Sequence, residues 1–198
     1  MSATSAPFGL RPAFHPSGLD RAQALAGGIP SGFTSDILKG QPVRYQTTAI
    51  GGTLGTITPA TTSGAWVGAF AGVQWTDTTG RARVSNYWPA NTAYTTGSCV
   101  AYFYNDQNIV YEIQADGSMA QTTIGNEYNF TNVTAGSTTT GLSAATLGSA
   151  TAVGNGSQGQ MRVVDIAPYP GNDWGDTYTI VRVVNANSQF FGAVTAIA

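Results

Sequence analysis

Side chains able to do covalent or acid–base chemistry are few in this chain: one histidine (His15), one cysteine (Cys99), one lysine (Lys39) and two glutamates (Glu112, Glu127). A nucleophilic triad needs an imidazole beside a serine or cysteine. His15 lies between Phe14 and Pro16 in a Pro/Gly-rich stretch, and no serine or cysteine has the local context of a nucleophile. A zinc site on that histidine would have to draw every other ligand from carboxylates. The lone cysteine rules out an intrachain disulfide, and its neighbours Val100 and Ala101 predict a core thiol. Glu112 and Glu127 would form a glycosidase pair only at a separation that sequence does not fix. The acidic loop NDWGD at 172–176 offers oxygen ligands without the spacing of a calcium loop. It reads instead as an Asx-turn loop in which Asp173 caps backbone amides and Trp174 plugs the core. GNGSQG at 154–159 matches a dinucleotide fingerprint. A low-complexity loop precedes it and a β-like run follows it, which is the wrong context for holding a pyrophosphate. The expectation is a protein that is not an enzyme, with no catalytic residue, no cofactor and no metal.

Charged residues make up only 9% of the 198 residues, for a formal net charge of −2. That share is far below the usual quarter, so Thr, Ser, Asn, Gln and 25 glycines must cover the surface. The seven arginines are dispersed rather than gathered in a stripe, which argues against direct nucleic-acid binding. Low charge also leaves little repulsion between copies, so self-association is easy. No apolar stretch is long enough to cross a membrane, and the first residues lack the order of a signal peptide. Synthesis in a cytoplasm is therefore expected. On that reading the Asn-x-Ser/Thr triplets at Asn129, Asn132 and Asn155 are accidents of an Asn/Thr-rich sequence.

The elements that must position these residues are β-strands. Period-two runs bounded by Gly, Asn and Asp predict strands at 42–48, 54–58, 65–76, 93–104, 109–115, 161–167, 178–184 and 190–197. Alternation is clearest where Ile109, Tyr111 and Ile113 oppose Val110, Glu112 and Gln114. Residues 105–108 between two such runs have the character of a hairpin turn. Residues 1–35 carry isolated large apolar side chains without a sustained period and predict an extended N-terminal arm, docked on a partner or on its own core. Residues 36–198 form the β-rich body, interrupted by a Thr/Ala/Gly-rich surface excursion at 131–160 anchored only by Leu142 and Leu147. The fold class expected is all-β: a single β-sandwich or β-barrel, jelly-roll-like, with that arm.

Four tryptophans, nine tyrosines and eight phenylalanines supply core and cross-strand pairs. Trp88, in NYWPA at 86–90 between strands, is the candidate for an interface. The runs APFGLRP at 6–12, FAGVQW at 70–75 with TDTTG at 76–80, YWPA at 87–90, YEIQAD at 111–116 and NDWGDTY at 172–178 occur in an order and spacing that span almost the whole chain. Together they resemble the capsid decoration, or cement, proteins of tailed phages with HK97-type heads. The resemblance implies a β-rich, trimeric protein on the capsid exterior, partnered by the major capsid protein and by itself, with no catalytic residues to carry over. Phe8, Leu10 and Phe14 of the arm are the contacts expected with the capsid or a neighbouring subunit. The alternative is a carbohydrate- or receptor-binding module of a head or tail fibre that uses exposed Trp and Tyr, Trp88 first among them.

Overall fold

The computed structural model describes residues 2–18, 24–46, 55–150, 152–154 and 157–190. In chain order the strands are β1 (Arg11–Phe14), β2 (Ala24–Gly27), β3 (Pro42–Tyr45), β4 (Ile57–Pro59), β5 (Gly68–Thr76), β6 (Ala82–Ser85), β7 (Val100–Tyr104) and β8 (Val110–Gln114). After a 3-10 turn at Gln121–Thr123 come β9 (Glu127–Tyr128), β10 (Phe130–Thr131), β11 (Gly136–Ser137), β12 (Leu142–Ser143), β13 (Thr146–Leu147), β14 (Met161–Ile166) and β15 (Ile180–Asn185). No α-helix occurs among the described residues. The chain is all-β with antiparallel pairing throughout its named ladders, in keeping with a sandwich or barrel fold.

Two large sheets carry the structure. One runs β1-β8-β15-β14-β9; the other runs β2-β7-β5-β3-β4, with β6 also pairing β5. Strand β5 is the spine of the second sheet. Its whole central length pairs β7, while its opposite edge is shared between β3 at Gly68 and Ala69 and β6 from Val73 to Thr76. Each sheet has its own apolar cluster. Tyr111, Ile113, Val163, Val181 and Val183 line the first, and Val43, Phe70, Val73, Ala101 and Phe103 line the second. Cys99 is buried in the second, as its apolar neighbours predict.

Trp66, just before β5, ties the sheets together. It is fully buried in the first cluster, with ring centroids 6.1 Å from Tyr111 and 5.1 Å from Phe130. Its indole N–H donates to the Gln160 carbonyl at 3.1 Å. The Gln160 side chain in turn accepts from the Phe130 amide at 3.0 Å and donates to the Thr61 and Gly64 carbonyls. Every polar end of this fully buried glutamine thus has a partner, as burial demands.

The runs expected at 42–48, 65–76, 93–104, 109–115 and 161–167 hold β3, β5, β7, β8 and β14, and those at 54–58 and 178–184 hold parts of β4 and β15. The run expected at 190–197 lies outside the described residues apart from Phe190. Residues 105–108 do form a turn, with Asp106 accepting the Asn108 amide at 2.8 Å. They do not close a hairpin: β7 is bonded by β2 and β5, and β8 by β1 and β15, so the connection passes from one sheet to the other. Strands β1 and β2 run beside it, pairing β8 and β7 respectively. His15, just after β1, hydrogen-bonds Asp106 of that connection at 3.1 Å.

Of the two placements expected for the arm, its described part takes the second and docks on its own core. The described part of residues 1–35 is extended, but β1 and β2 are edge strands of the two sheets, so the segment completes the body. The described part of the block at 131–160 carries short strands of its own. Its strands pair as β10 with β13 and β11 with β12, and Leu147 is fully buried while Leu142 stays 44% exposed. Hydroxyls replace bulk here: Thr131 and Thr146 bond each other at 2.8 Å, and Asp116 accepts from the Ser149 amide at 2.7 Å and the Thr131 hydroxyl at 3.1 Å.

Gly68 shows how tightly the spine is packed. A Cβ built there would lie 1.6 Å from the Tyr104 carbonyl oxygen, a backbone atom that cannot swing away. Gly68→Ala is expected to cost about 2–3 kcal/mol or more by forcing β5 and β7 apart; denaturant unfolding of the variant beside wild type measures it, and an unchanged midpoint would refute the close approach.

Candidate interaction surface

The N-terminal strand is held by a buried carboxylate. In register across the first sheet, Arg11 of β1 lies opposite Glu112 of β8, Glu112 opposite Arg182 of β15, and Arg182 opposite Asp165 of β14. Charges alternate along this row, which gives neighbouring strands favourable cross-strand pairs. Glu112 is only 3% exposed. It accepts from Arg11 Nη2 at 2.7 Å, from Arg182 Nε at 3.4 Å and from the Tyr169 hydroxyl. Burial alone would push this carboxyl up; the Tyr169 hydroxyl, the Arg11 guanidinium and its charge, and Arg182 outweigh it and hold Glu112 below the ordinary glutamate range. Burial, then the hydrogen bond and charge of Glu112, push the Tyr169 phenol up.

The Arg11 guanidinium also lies over two rings, 4.9 Å from the Phe8 centroid and 5.3 Å from that of Tyr169. Such cation–π contacts fix its direction and contribute about 0.5–1 kcal/mol each at an exposed site. Farther along the same segment, Gln114 accepts from the Ala6 amide at 2.8 Å and donates to the Thr4 carbonyl at 3.0 Å. Gln114 and Glu112, the polar side of the β8 alternation, are thus buried under the N-terminal segment rather than left wet.

Two clefts flank Phe8 and Arg11. The larger, about 320 Å³, is lined by Phe8, Leu10, Pro12, Lys39 and Leu142 among others; the smaller, about 210 Å³, lies on the Ala6 and Tyr169 side. Their walls are mainly apolar with cationic groups at the rim, an arrangement suited to binding and orienting another surface.

Of the expected contact residues, the structure brings Phe8 to this rim and leaves Phe14 54% exposed at the end of β1. Two others need correction. Leu10 is 2% exposed and belongs to the first core, because the turn of the chain into β1 points it inward. Trp88 is fully buried, edge-on to Trp75 at 5.4 Å and Tyr94 at 5.8 Å, so it is a core residue of the second sheet and not a platform for a partner or sugar. Its backbone bridges to Ile37 on both sides, which draws the indole beneath the sheet.

Glu112 and Glu127 are separated by β15 and β14, about 14 Å of sheet at ordinary strand spacing. Each has its own arginine; Glu127 meets Arg162 Nη2 at 2.8 Å and the Gly159 amide at 2.7 Å. Gly159 of the fingerprint-like run therefore serves a structural carboxylate, and Asn155 and Gly156 of that run lie outside the described residues. In the acidic loop the capping carboxylate is Asp176, which accepts the Asp173 amide at 2.9 Å and the Ser2 hydroxyl, instead of Asp173. Trp174 is half-buried against the first core, as expected. Sequence reasoning missed Arg11, Tyr169 and Arg182 as one cluster. Their only signal was an acid, Glu112, on the polar side of a strongly apolar strand.

Comparison with models of protein families, with curated proteins and with solved structures finds no match.

Because Glu112 is held below the ordinary range, its contribution to stability is complete above about pH 4.3 and is lost as pH falls through its folded pKa. Glu112→Gln is expected to cost about 1–3 kcal/mol at neutral pH, discounted because Arg11 and Arg182 are 51% and 34% exposed. The gap between variant and wild type should close on acidification; urea unfolding at a series of pH values checks it, and a gap that persists undiminished at the acid end would contradict the assignment.

Proposed function

We propose that this protein is a non-enzymatic structural component of a tailed-phage particle that decorates and cements the outer surface of the capsid. The sequence resemblance supports the reading, and so does a surface built from uncharged polar residues. The observation that carries it is at the N-terminal edge strands. Among the described residues β1 is bonded on one side only, and β2 pairs β7 alone along Ala24–Gly27 before Gly28 bridges Thr56; each presents a large apolar side chain to solvent, Phe14 at 54% and Leu25 at 40%. Proline at position 12 withholds an amide from the open edge of β1, which protects it from indiscriminate strand pairing while leaving the side chains free.

On this reading the exposed edges lie against the major capsid protein. Stabilisation is by mass action: subunits that bind only the mature shell lower its free energy relative to the disrupted one. Many symmetric copies add avidity, so each contact can be modest.

The test is co-sedimentation of purified protein with mature capsids lacking it, followed by electron cryomicroscopy. Wild type is expected to saturate the outer surface, and Phe14→Asp with Leu25→Asp to weaken occupancy about tenfold or more, the effect of losing roughly 1.4 kcal/mol per site. A wild-type protein that leaves capsids bare, or a double variant that binds equally well, would overturn the proposal.

A further inference from the structure

The alternating charge row of the first sheet ends in two unlike groups. At the β1 end stand Arg11, with half its side chain exposed, and Lys39, exposed and without an ion-pair partner among the described residues. Both line the larger cleft, whose remaining wall is apolar, including Phe8, Pro12 and Leu142. At the β14 end stands Val164, 42% exposed by the alternation that buries Met161 and Val163, and the bulge between Val163 and Asp165 brings Asp165 out beside it. A bulge re-aims a side chain in this way by breaking the two-residue alternation. Three strand steps, about 14 Å, separate the two ends.

One end is an apolar hollow with two cations at its rim; the other is an apolar knob with a carboxylate beside it. Of the large exposed apolar residues, Phe14, Leu25, Val84, Ile124, Leu142, Val164 and Phe190, only Val164 has an acidic neighbour in sequence. A valine side chain fits easily in a cleft of about 320 Å³. The knob cannot reach the hollow of its own molecule, because two strands of the sheet stand between their strands.

We propose that the Val164 and Asp165 bulge of one copy docks in the Phe8 and Lys39 cleft of another, so that the row Arg11, Glu112, Arg182, Asp165 continues with alternating sign from copy to copy. The contact is heterologous, joining different surfaces of identical subunits, and it closes into a ring where the rotation between copies permits. The low charge elsewhere on the chain leaves little repulsion to oppose it. It concerns the isolated protein and is independent of the capsid reading.

Sedimentation velocity over a range of concentrations tests it. Wild type is expected to associate as concentration rises, and less so in high salt, where exposed charges are screened. Lys39→Asp, Asp165→Lys and Val164→Ser should each raise the midpoint concentration about tenfold, the cost of one lost contact of this size. The double variant Lys39→Asp with Asp165→Lys should recover most of the loss by restoring opposite charges across the contact. All these side chains are exposed, so near-ultraviolet circular dichroism should match wild type and separate loss of contact from loss of fold. A wild type that stays monomeric at every concentration, single variants that associate normally, or a double variant no better than the singles would each overturn it.

Discussion

A carboxylate taken out of water must be given donors, and the placement of the N-terminal segment follows from that constraint. Glu112 sits in the middle of a strand between Tyr111 and Ile113, whose burial fixes which way it points. Left unpaired at 3% exposure it would cost several kcal/mol. Arg11, Arg182 and Tyr169 supply donors from three other parts of the chain. Arg11 can do so only with β1 in register beside β8, and that register in turn places Phe8 against the guanidinium and Ala6 within reach of Gln114. A single buried charge thus converts an apolar, aperiodic leader into a sheet edge.

The same economy runs through a chain with few charges. The glutamates are both buried and both paired with arginine, so they act as fasteners between strands and not as solubilising groups. Uncharged amides do the equivalent work elsewhere. Gln160 links the loop before Trp66 to the first sheet, and the Asn172 side chain spans the β14–β15 connection by donating to the Ala167 and Ile180 carbonyls while accepting the Ile180 amide at 2.9 Å. These bonds are individually modest, but each removes a buried polar group that would otherwise go unsatisfied, which is where the larger cost lies.

With both glutamates used internally, what remains outside among the described residues is polar, weakly charged and marked by a few exposed apolar side chains. Such a surface carries only a weak electrostatic field. Where β7 passes into β8 from one sheet to the other, His15, just after β1, is joined to Asp106 of that connection.

Much of the fold was legible in the sequence, since a period of two in residues such as Ile109, Tyr111 and Ile113 follows from the geometry of a strand, and a strand's own residues report it. Cys99 as a core thiol and the turn at 105–108 were legible for the same reason, being local. What the sequence left open was pairing. Whether the runs on either side of 105–108 bond each other or join different sheets depends on which neighbours occupy their edges, and those neighbours, β1, β2, β5 and β15, are distant in the chain. Trp88 read as an interface candidate because its run lies between strands, yet Trp75 and Tyr94 pack edge-on against it and it is buried. The candidate surface is of this second kind. Phe8 and Phe14 stood out as apolar residues needing somewhere to go, but the cleft and the charge row exist only once four strands align side by side, because a contact across a sheet is set by register and not by anything a single strand carries.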